Sequence, residues 1–157
     1  MKLLKRIHTP TSKLYDQDTF WRSFEKDLNR AQNQVIIESP FITSRRIDVM
    51  MPIFEKLRRR GVQIIINTRN PIEHDGIYQQ QAEDAITRLQ DLGATVLYTV
   101  GHHRKLAIID VESIWEGSLN ILSFNDSCEI MRRTTSSDEA KLLINFIKLD
   151  KYIGVKL

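Results

Sequence analysis

The stretch His102-His103-Arg104-Lys105-Leu106-Ala107-Ile108-Ile109-Asp110, followed after six residues by Gly117-Ser118-Leu119-Asn120, decides how this chain is read. If Lys105 lies on a strand, side chains two apart share a face, so His103 and Lys105 can meet one ligand. The same spacing sets Ser118 and Asn120 on a common face of a neighbouring strand or turn. An imidazole, an ammonium, a hydroxyl and an amide brought together in this way suit a phosphate. Asp110, seven positions after His103, faces the other way on an unbroken strand and is expected to serve the strand end structurally. Glu129, near the start of the following strand, is the candidate to accept a hydrogen bond from His103 and fix its tautomer. His102 points to the opposite strand face, so it is read as a packing or surface residue, and a metal pair with His103 is geometrically poor.

Outward from this stretch, helix and strand alternate. Phe20, Phe24, Leu28 and Ala31 follow helical spacing, and Val35-Ile36-Ile37 before Ser39-Pro40 reads as a buried strand. After a polar turn at Thr43 to Arg46, Ile47, Met50, Met51, Phe54 and Leu57 mark a second helix. Pro52 is tolerable in its first turn, and Gly61 stops it. Val62 to Asn67 is the next strand, and Asn70 to Gly76 has the chemistry of a loop. A third helix carries Tyr78, Ala82, Ala85, Ile86 and Leu89 on one face and leads into a strand through Val96, Leu97 and Tyr98. Three strand-like runs follow, at Lys105 to Ile109, Ser113 to Trp115 and Glu129 to Arg132. The last helix opens at the capping box Ser136-x-x-Glu139 and buries Ala140, Leu143, Ile144 and Ile147. This order argues for an α/β fold, a mixed β-sheet flanked by helices on both faces.

The chain has 157 residues, a length for one domain, with its core expected at about residues 18–153. Hydrophobic residues make up 41% and charged residues 27%, which excludes disorder and fibrous repeats. The apolar runs fall far short of the roughly 20 residues that cross a bilayer, so no membrane association is expected. The start, Met1-Lys2-Leu3-Leu4-Lys5-Arg6, lacks the apolar region of a secretory signal, and a cytoplasmic location is expected. The lone Cys128 makes no internal disulfide and offers no cysteine metal site. Gly117 belongs to neither a G-x-G-x-x-G nor a Walker A sequence, so neither ATP nor NAD is implied, and no cofactor is expected. The formal charge of +3 is compatible with an anionic partner.

The spacing His103-x-Lys105-x4-Asp110-x6-Gly117-Ser118-x-Asn120 resembles, gaps included, the HKD signature of the phospholipase D superfamily. The resemblance runs from about Phe20 to the last helix and is similar to single-motif nuclease-like modules, including those attached to helicases. It implies a phospholipase D-like fold and a phosphodiesterase that works without metal. In that chemistry one histidine attacks phosphorus to give a phosphohistidine, and a second protonates the leaving oxygen and later activates water. The chain carries one copy of the motif, so the need for a nucleophile and a separate acid predicts a twofold homodimer with His103 of both subunits in one site. Lys105 and Asn120 would then surround the phosphate, Ser118 would support from the side, and Glu129 would orient His103, with Asp110 and Gly117 as the structural members of the motif.

The expected substrate is DNA, with RNA as the alternative. Arg45, Arg46, Arg69, Arg104, Arg132 and Arg133 fall at strand ends or loops near the site, where arginine contacts to phosphates give binding without sequence preference. Two rival readings remain at this level. One is a non-catalytic nucleic-acid binding module of a larger helicase or restriction system, and the other a phospholipid phosphodiesterase. Arg58-Arg59-Arg60 ends a helix and reads as a cap on its negative dipole end. Phe20, Trp21, Phe24 and Trp115 read as core or dimer contacts, and His8 and His74 are given no role.

Overall fold

The apolar runs at strand and helix spacing assemble, in the computed structural model, into β1 (Thr11–Asp16), α1 (Phe20–Arg30), β2 (Gln34–Glu38), α2 (Ser44–Arg59), β3 (Gln63–Thr68), α3 (Gly76–Asp91), β4 (Thr95–Tyr98), β5 (Leu106–Ile109), β6 (Ser113–Gly117), β7 (Ile130–Thr135) and α4 (Ser137–Phe146). The structure describes residues 11–124 and 126–153, so His8 lies outside it. The strands form one sheet in the order β1-β7-β6-β5-β2-β3-β4. β2, β3 and β4 run parallel, each joined to the next by a helix. β5 turns back antiparallel against β2, and β6, β7 and β1 continue antiparallel to the edge.

Alternation along the strands builds two cores. Val35 and Ile37 of β2, Ile64 and Ile66 of β3, Ala107 and Ile109 of β5 and Trp115 of β6 face α1, α2 and α3. Ile36, Ile65, Leu106, Ile108 and Ile114 face α4 through Ala140 and Ile144. Helices therefore cover both faces, three on one and one on the other. Trp115 is fully buried among Phe20 and Phe24, edge-on to both rings, and its indole N–H donates to Asp27 Oδ2 at 2.9 Å. Ser136 caps α4, its Oγ accepting from the Glu139 backbone N–H at 3.3 Å.

Five local features differ from the reading of the sequence. β1 lies ahead of the expected core; its residues are mostly exposed and show no apolar alternation, and its place rests on backbone pairing to β7 from Thr11↔Thr135 to Asp16↔Ile130. α2 begins at Ser44, so the polar turn at Thr43 to Arg46 is instead the first turn of the helix, because Arg46 packs inward. Pro52 then falls in the helix middle, where its missing N–H removes one helical bond; burial of Ile47, Met50, Phe54 and Leu57 on the same helix offsets that loss. The Asn70 to Gly76 loop contains a 3₁₀ turn at Pro71–Glu73, started by Asn70 Oδ1 accepting from the Ile72 N–H. Tyr78 is 58% exposed rather than on the buried face of α3, because only the face of Ala82, Ala85, Ile86 and Leu89 meets the core.

Candidate active site

The carboxyl ends of β2 and β3 and the start of β5 meet at one edge of the sheet, since Glu38 pairs in register with both Asn67 and Leu106. In open α/β sheets this is the edge at which ligands bind. Glu38 is fully buried there and Asn67 is 3% exposed. Arg104 closes on Glu38 with Nε to Oε2 at 2.6 Å and Nη2 to Oε1 at 2.8 Å. Asn67 donates to the same carboxylate at 2.8 Å and accepts from the Thr99 hydroxyl at 3.0 Å. Each buried polar group thus finds a partner, and the loop entering β5 is tied to the sheet. The sequence reading missed Glu38 and Asn67; the signal was a polar residue closing each of two parallel apolar runs.

Above this layer lie His103, exposed, and Lys105, half-buried. Both precede β5 rather than lying within it, yet they meet: Lys105 Nζ donates to the His103 carbonyl at 2.8 Å and sits 3.3 and 3.4 Å from the two ring nitrogens. Burial lowers the Lys105 pKa from its ordinary value, Glu129 opposes that shift and Arg69 adds to it.

Pairing of β5 with β6 carries the chain from Lys105 to the second half of the motif, with the Gly117 N–H donating to the Lys105 carbonyl at 3.3 Å. A Cβ on Gly117 would stand 2.0 Å from the Ile130 carbonyl oxygen, so only glycine lets β6 and β7 close here. Next, the Ser118 N–H donates to the Ile130 carbonyl at 2.9 Å, and Ser118 Oγ accepts from the Ile130 N–H at 3.0 Å. Ser118 Oγ also donates to Glu129 Oε2, whose other oxygen accepts from Ser127 Oγ at 2.5 Å. The expected bond between Glu129 and His103 is absent among the described residues, since both carboxylate oxygens are held by the serines. Asn120 is half-buried, and its Oδ1 has no partner.

Asp110, just past the end of β5, binds backbone N–H groups that precede and open β2. Its Oδ2 accepts from the Gln32 N–H at 2.8 Å, and its Oδ1 from Asn33 and Gln34 at 2.8 and 3.0 Å. That contact lies at the opposite end of β5 from the site. His102 is buried, which selects packing over a surface role, with its pKa lowered by desolvation, and its carbonyl accepts both Nε and Nη2 of Arg69. His74 is buried against the Phe41 ring at 5.0 Å between centroids.

The arginines separate by burial and by partner. Arg104 is committed to Glu38, and Arg133 to Asp27 on the α1 face at 2.6 Å, so neither is free for a phosphate. Arg46 is 5% exposed, its guanidinium lying 3.3 Å from the Trp21 ring centroid and 3.7 Å from that of Phe124. Burial pushes its pKa down to about 10. Arg45, in the first turn of α2 beside Phe124, is exposed, and so is Arg132, which donates to Ser12 Oγ at 2.8 Å. At the far end of α2, Arg58 and Arg60 donate to the Val62 and Ala31 carbonyls, consistent with a cap.

A mixed sheet with these helices and a His-Lys pair at its ligand edge defines a phospholipase D-like α/β protein. The chain belongs to the phospholipase D superfamily: the family model described as "Cardiolipin synthase, PLD-like domain" matches residues 24–149. Among solved structures it is similar to Nuc from Salmonella typhimurium, a phospholipase D family member, at TM-score 0.71 and 14% identity over 95% of this chain and 99% of that one. It is similar to NucT from Helicobacter pylori at TM-score 0.67 and 18% identity, over 95% and 100% of the two chains. A third likeness, at TM-score 0.59 and 12% identity over 96% of this chain and 54% of the other, is to TrmBL2, an archaeal chromatin protein described with a novel mode of DNA binding. No curated protein matches the sequence. No helix among the described residues is long and apolar enough to cross a membrane.

Proposed function

We propose that this protein is a phosphodiesterase that hydrolyses DNA through a phosphohistidine on His103, working as a twofold homodimer. The observation that carries the reading is the Lys105 ammonium held 3.3 to 3.4 Å from the His103 ring, at the ligand edge of the sheet. A ring nitrogen of His103 attacks phosphorus, the P–N bond forms and the bond to the leaving oxygen breaks. The same histidine of a second copy gives that oxygen its proton. Water then attacks the phosphohistidine, losing its proton to that second histidine, and the P–N bond breaks. The reaction asks nothing of a metal, because the nucleophile and the acid are both imidazoles. Lys105 and Asn120 stabilise charge on the equatorial oxygens. Ser118 and Glu129 support the motif from the side, Glu129 acting through Ser118 and the field at Lys105.

Nucleic acid is supported as the substrate class by the exposed Arg45 and Arg132 and by the fold shared with a DNA-binding chromatin protein. A lipid reading is favoured by one observation, the cardiolipin synthase description of the matching family. The test is cleavage of supercoiled plasmid and labelled single strands in excess EDTA, wild type beside His103→Ala, with phosphatidylglycerol vesicles in parallel. The proposal expects cutting by wild type and loss of about a thousandfold or more in the variant. Turnover of the lipid with no action on DNA selects the lipid enzyme. Salt-dependent DNA binding without cleavage of either substrate selects the binding module. Sedimentation equilibrium tests the dimer; a strictly monomeric active species overturns the shared site.

A further inference from the structure

His103 carries its ring into solvent, and among the described residues the one hydrogen-bonding neighbour of that ring is the Lys105 ammonium. Solvent cannot hold a side chain in one direction, so the aim of the imidazole is set by the two peptide planes that flank its Cα. The first plane joins His102 to His103, and its carbonyl accepts from Arg69 Nε at 3.2 Å and from Nη2 at 3.0 Å. Because a peptide unit is planar, an oxygen fixed by two bonds also fixes the N–H and Cα of His103. The second plane joins His103 to Arg104, and its carbonyl accepts from Lys105 Nζ at 2.8 Å. Both planes are thus held by cationic side chains.

Arg69 directly follows β3, is half-buried, and has its guanidinium carbon 5.7 Å from the Phe41 ring centroid. The Nε and Nη2 edge of an arginine is one that grips a phosphate with two parallel bonds, and here a backbone carbonyl occupies it. The same stretch of chain anchors the approach to His103 twice more. The Thr99 N–H donates to the Thr68 carbonyl at 3.0 Å, and the Gly101 N–H donates to Glu73 Oε2 at 2.9 Å. The loop between β4 and β5 is therefore fastened to the end of β3 and the turn after it before it delivers His103.

We propose that Arg69 is a positioning residue for the reaction of His103: its two-pronged hold on the His102 carbonyl sets the peptide plane that aims the imidazole at phosphorus. The proposal rests on the phosphodiesterase reading of the site. In-line attack tolerates little displacement of the nucleophile, and a shift of about 1 Å costs on the order of a hundredfold in rate.

The test compares wild type with Arg69→Lys and Arg69→Ala by steady-state kinetics on a labelled single-stranded oligonucleotide, or on phosphatidylglycerol vesicles where those are what wild type turns over. Lysine keeps the charge and cannot form the two-pronged hold. Both variants are expected to lose kcat by about tenfold or more, with KM within about twofold of wild type. Added guanidinium ion at millimolar concentration should restore part of kcat in Arg69→Ala, whereas ammonium should not. A wild-type kcat in Arg69→Lys overturns the proposal, since charge alone would then suffice. A rise in KM with kcat unchanged, accompanied by a shallower salt dependence of DNA binding, makes Arg69 a phosphate contact and overturns it too. So does a loss of kcat that only tracks a fall in the folded fraction, followed by circular dichroism at the assay temperature. No turnover of either substrate by wild type overturns the phosphodiesterase reading and the positioning role together.

Discussion

The Arg104 guanidinium and the Glu38 carboxylate form a two-bond ion pair in which the acid is fully buried and the base is partly open to solvent. Removing one member of such a pair costs more than the pair contributes, because the survivor is a charge without a partner. Arg104→Ala should therefore destabilise the fold by about 3 kcal/mol, the low end of the range for buried pairs because Arg104 is partly exposed. Urea denaturation measures this; a change near zero would show that water replaces the arginine freely.

Asp110 holds three consecutive backbone N–H groups at the end of the sheet away from the site. Its truncation strands those donors and costs about 2 to 3 kcal/mol, as hydrogen bonds to a charged group do. In Asp110→Ala the melting temperature should fall while kcat, measured well below that temperature, stays near wild type. A large loss of kcat in a folded variant would move Asp110 into the chemistry.

Gly117 leaves no room for a side chain, since its Cβ would meet the Ile130 carbonyl at 2.0 Å and the Met131 Cα at 2.9 Å. Backbone atoms cannot step aside as a flexible side chain would. Gly117→Ala should cost about 3 kcal/mol, the upper end for overpacking, and should disturb the Ser118 and Glu129 contact directly beyond it. Thermal unfolding monitored by circular dichroism decides the point, and an unchanged midpoint would contradict it.

The alkaline limb of the pH profile should report Lys105. Burial lowers its pKa, so the ammonium loses its proton at lower pH than an ordinary lysine, and activity should decline below the usual lysine range near about 10.4. Glu129 favours the charged form, so Glu129→Gln should move that limb to still lower pH. Profiles of kcat for the two proteins test this; a limb that stays in place or moves up refutes the coupling.

Stability should fall on acidification through His102. Its folded-state pKa lies below the ordinary 6.5, with desolvation the main cause, so the unfolded chain takes up a proton first as pH falls. The stability it contributes is therefore present above the unfolded value and is lost as pH drops through and below it. His74 acts in the same direction. Urea midpoints at about pH 7.5 and about pH 5.5 should differ, and His102→Asn should narrow the gap; an unaltered gap would exclude His102 as a source.

Much of this fold was legible because its signals are local. Phe20, Phe24, Leu28 and Ala31 at helical spacing are all fully buried, and the apolar runs of β2 and β3 lie where the sequence placed them. The first helix turn of α2 was not legible, because Arg45 and Arg46 read as part of a polar turn offering phosphate contacts, and only the rings of Trp21 and Phe124, distant in sequence, make a buried Arg46 tolerable. β1 was hidden for a related reason: an exposed edge strand needs backbone pairing with β7 and carries no apolar pattern of its own.

At the site, the types and spacing of His103, Lys105, Asp110, Gly117, Ser118 and Asn120 were readable from the chain itself, because strand pairing conserves residue spacing and converts it into proximity. The family followed from that spacing. The partners of Glu129, the burial of Glu38 and the loss of Arg104 and Arg133 from the candidate phosphate contacts were decided only in three dimensions. Charged side chains take the nearest complementary group, and which group is nearest depends on segments that folding brings together from far apart in sequence. Asp27 meets Arg133 and Glu38 meets Arg104 across the sheet and its flanking helix, whereas the His103 and Lys105 pair lies within two residues and needed no such closure.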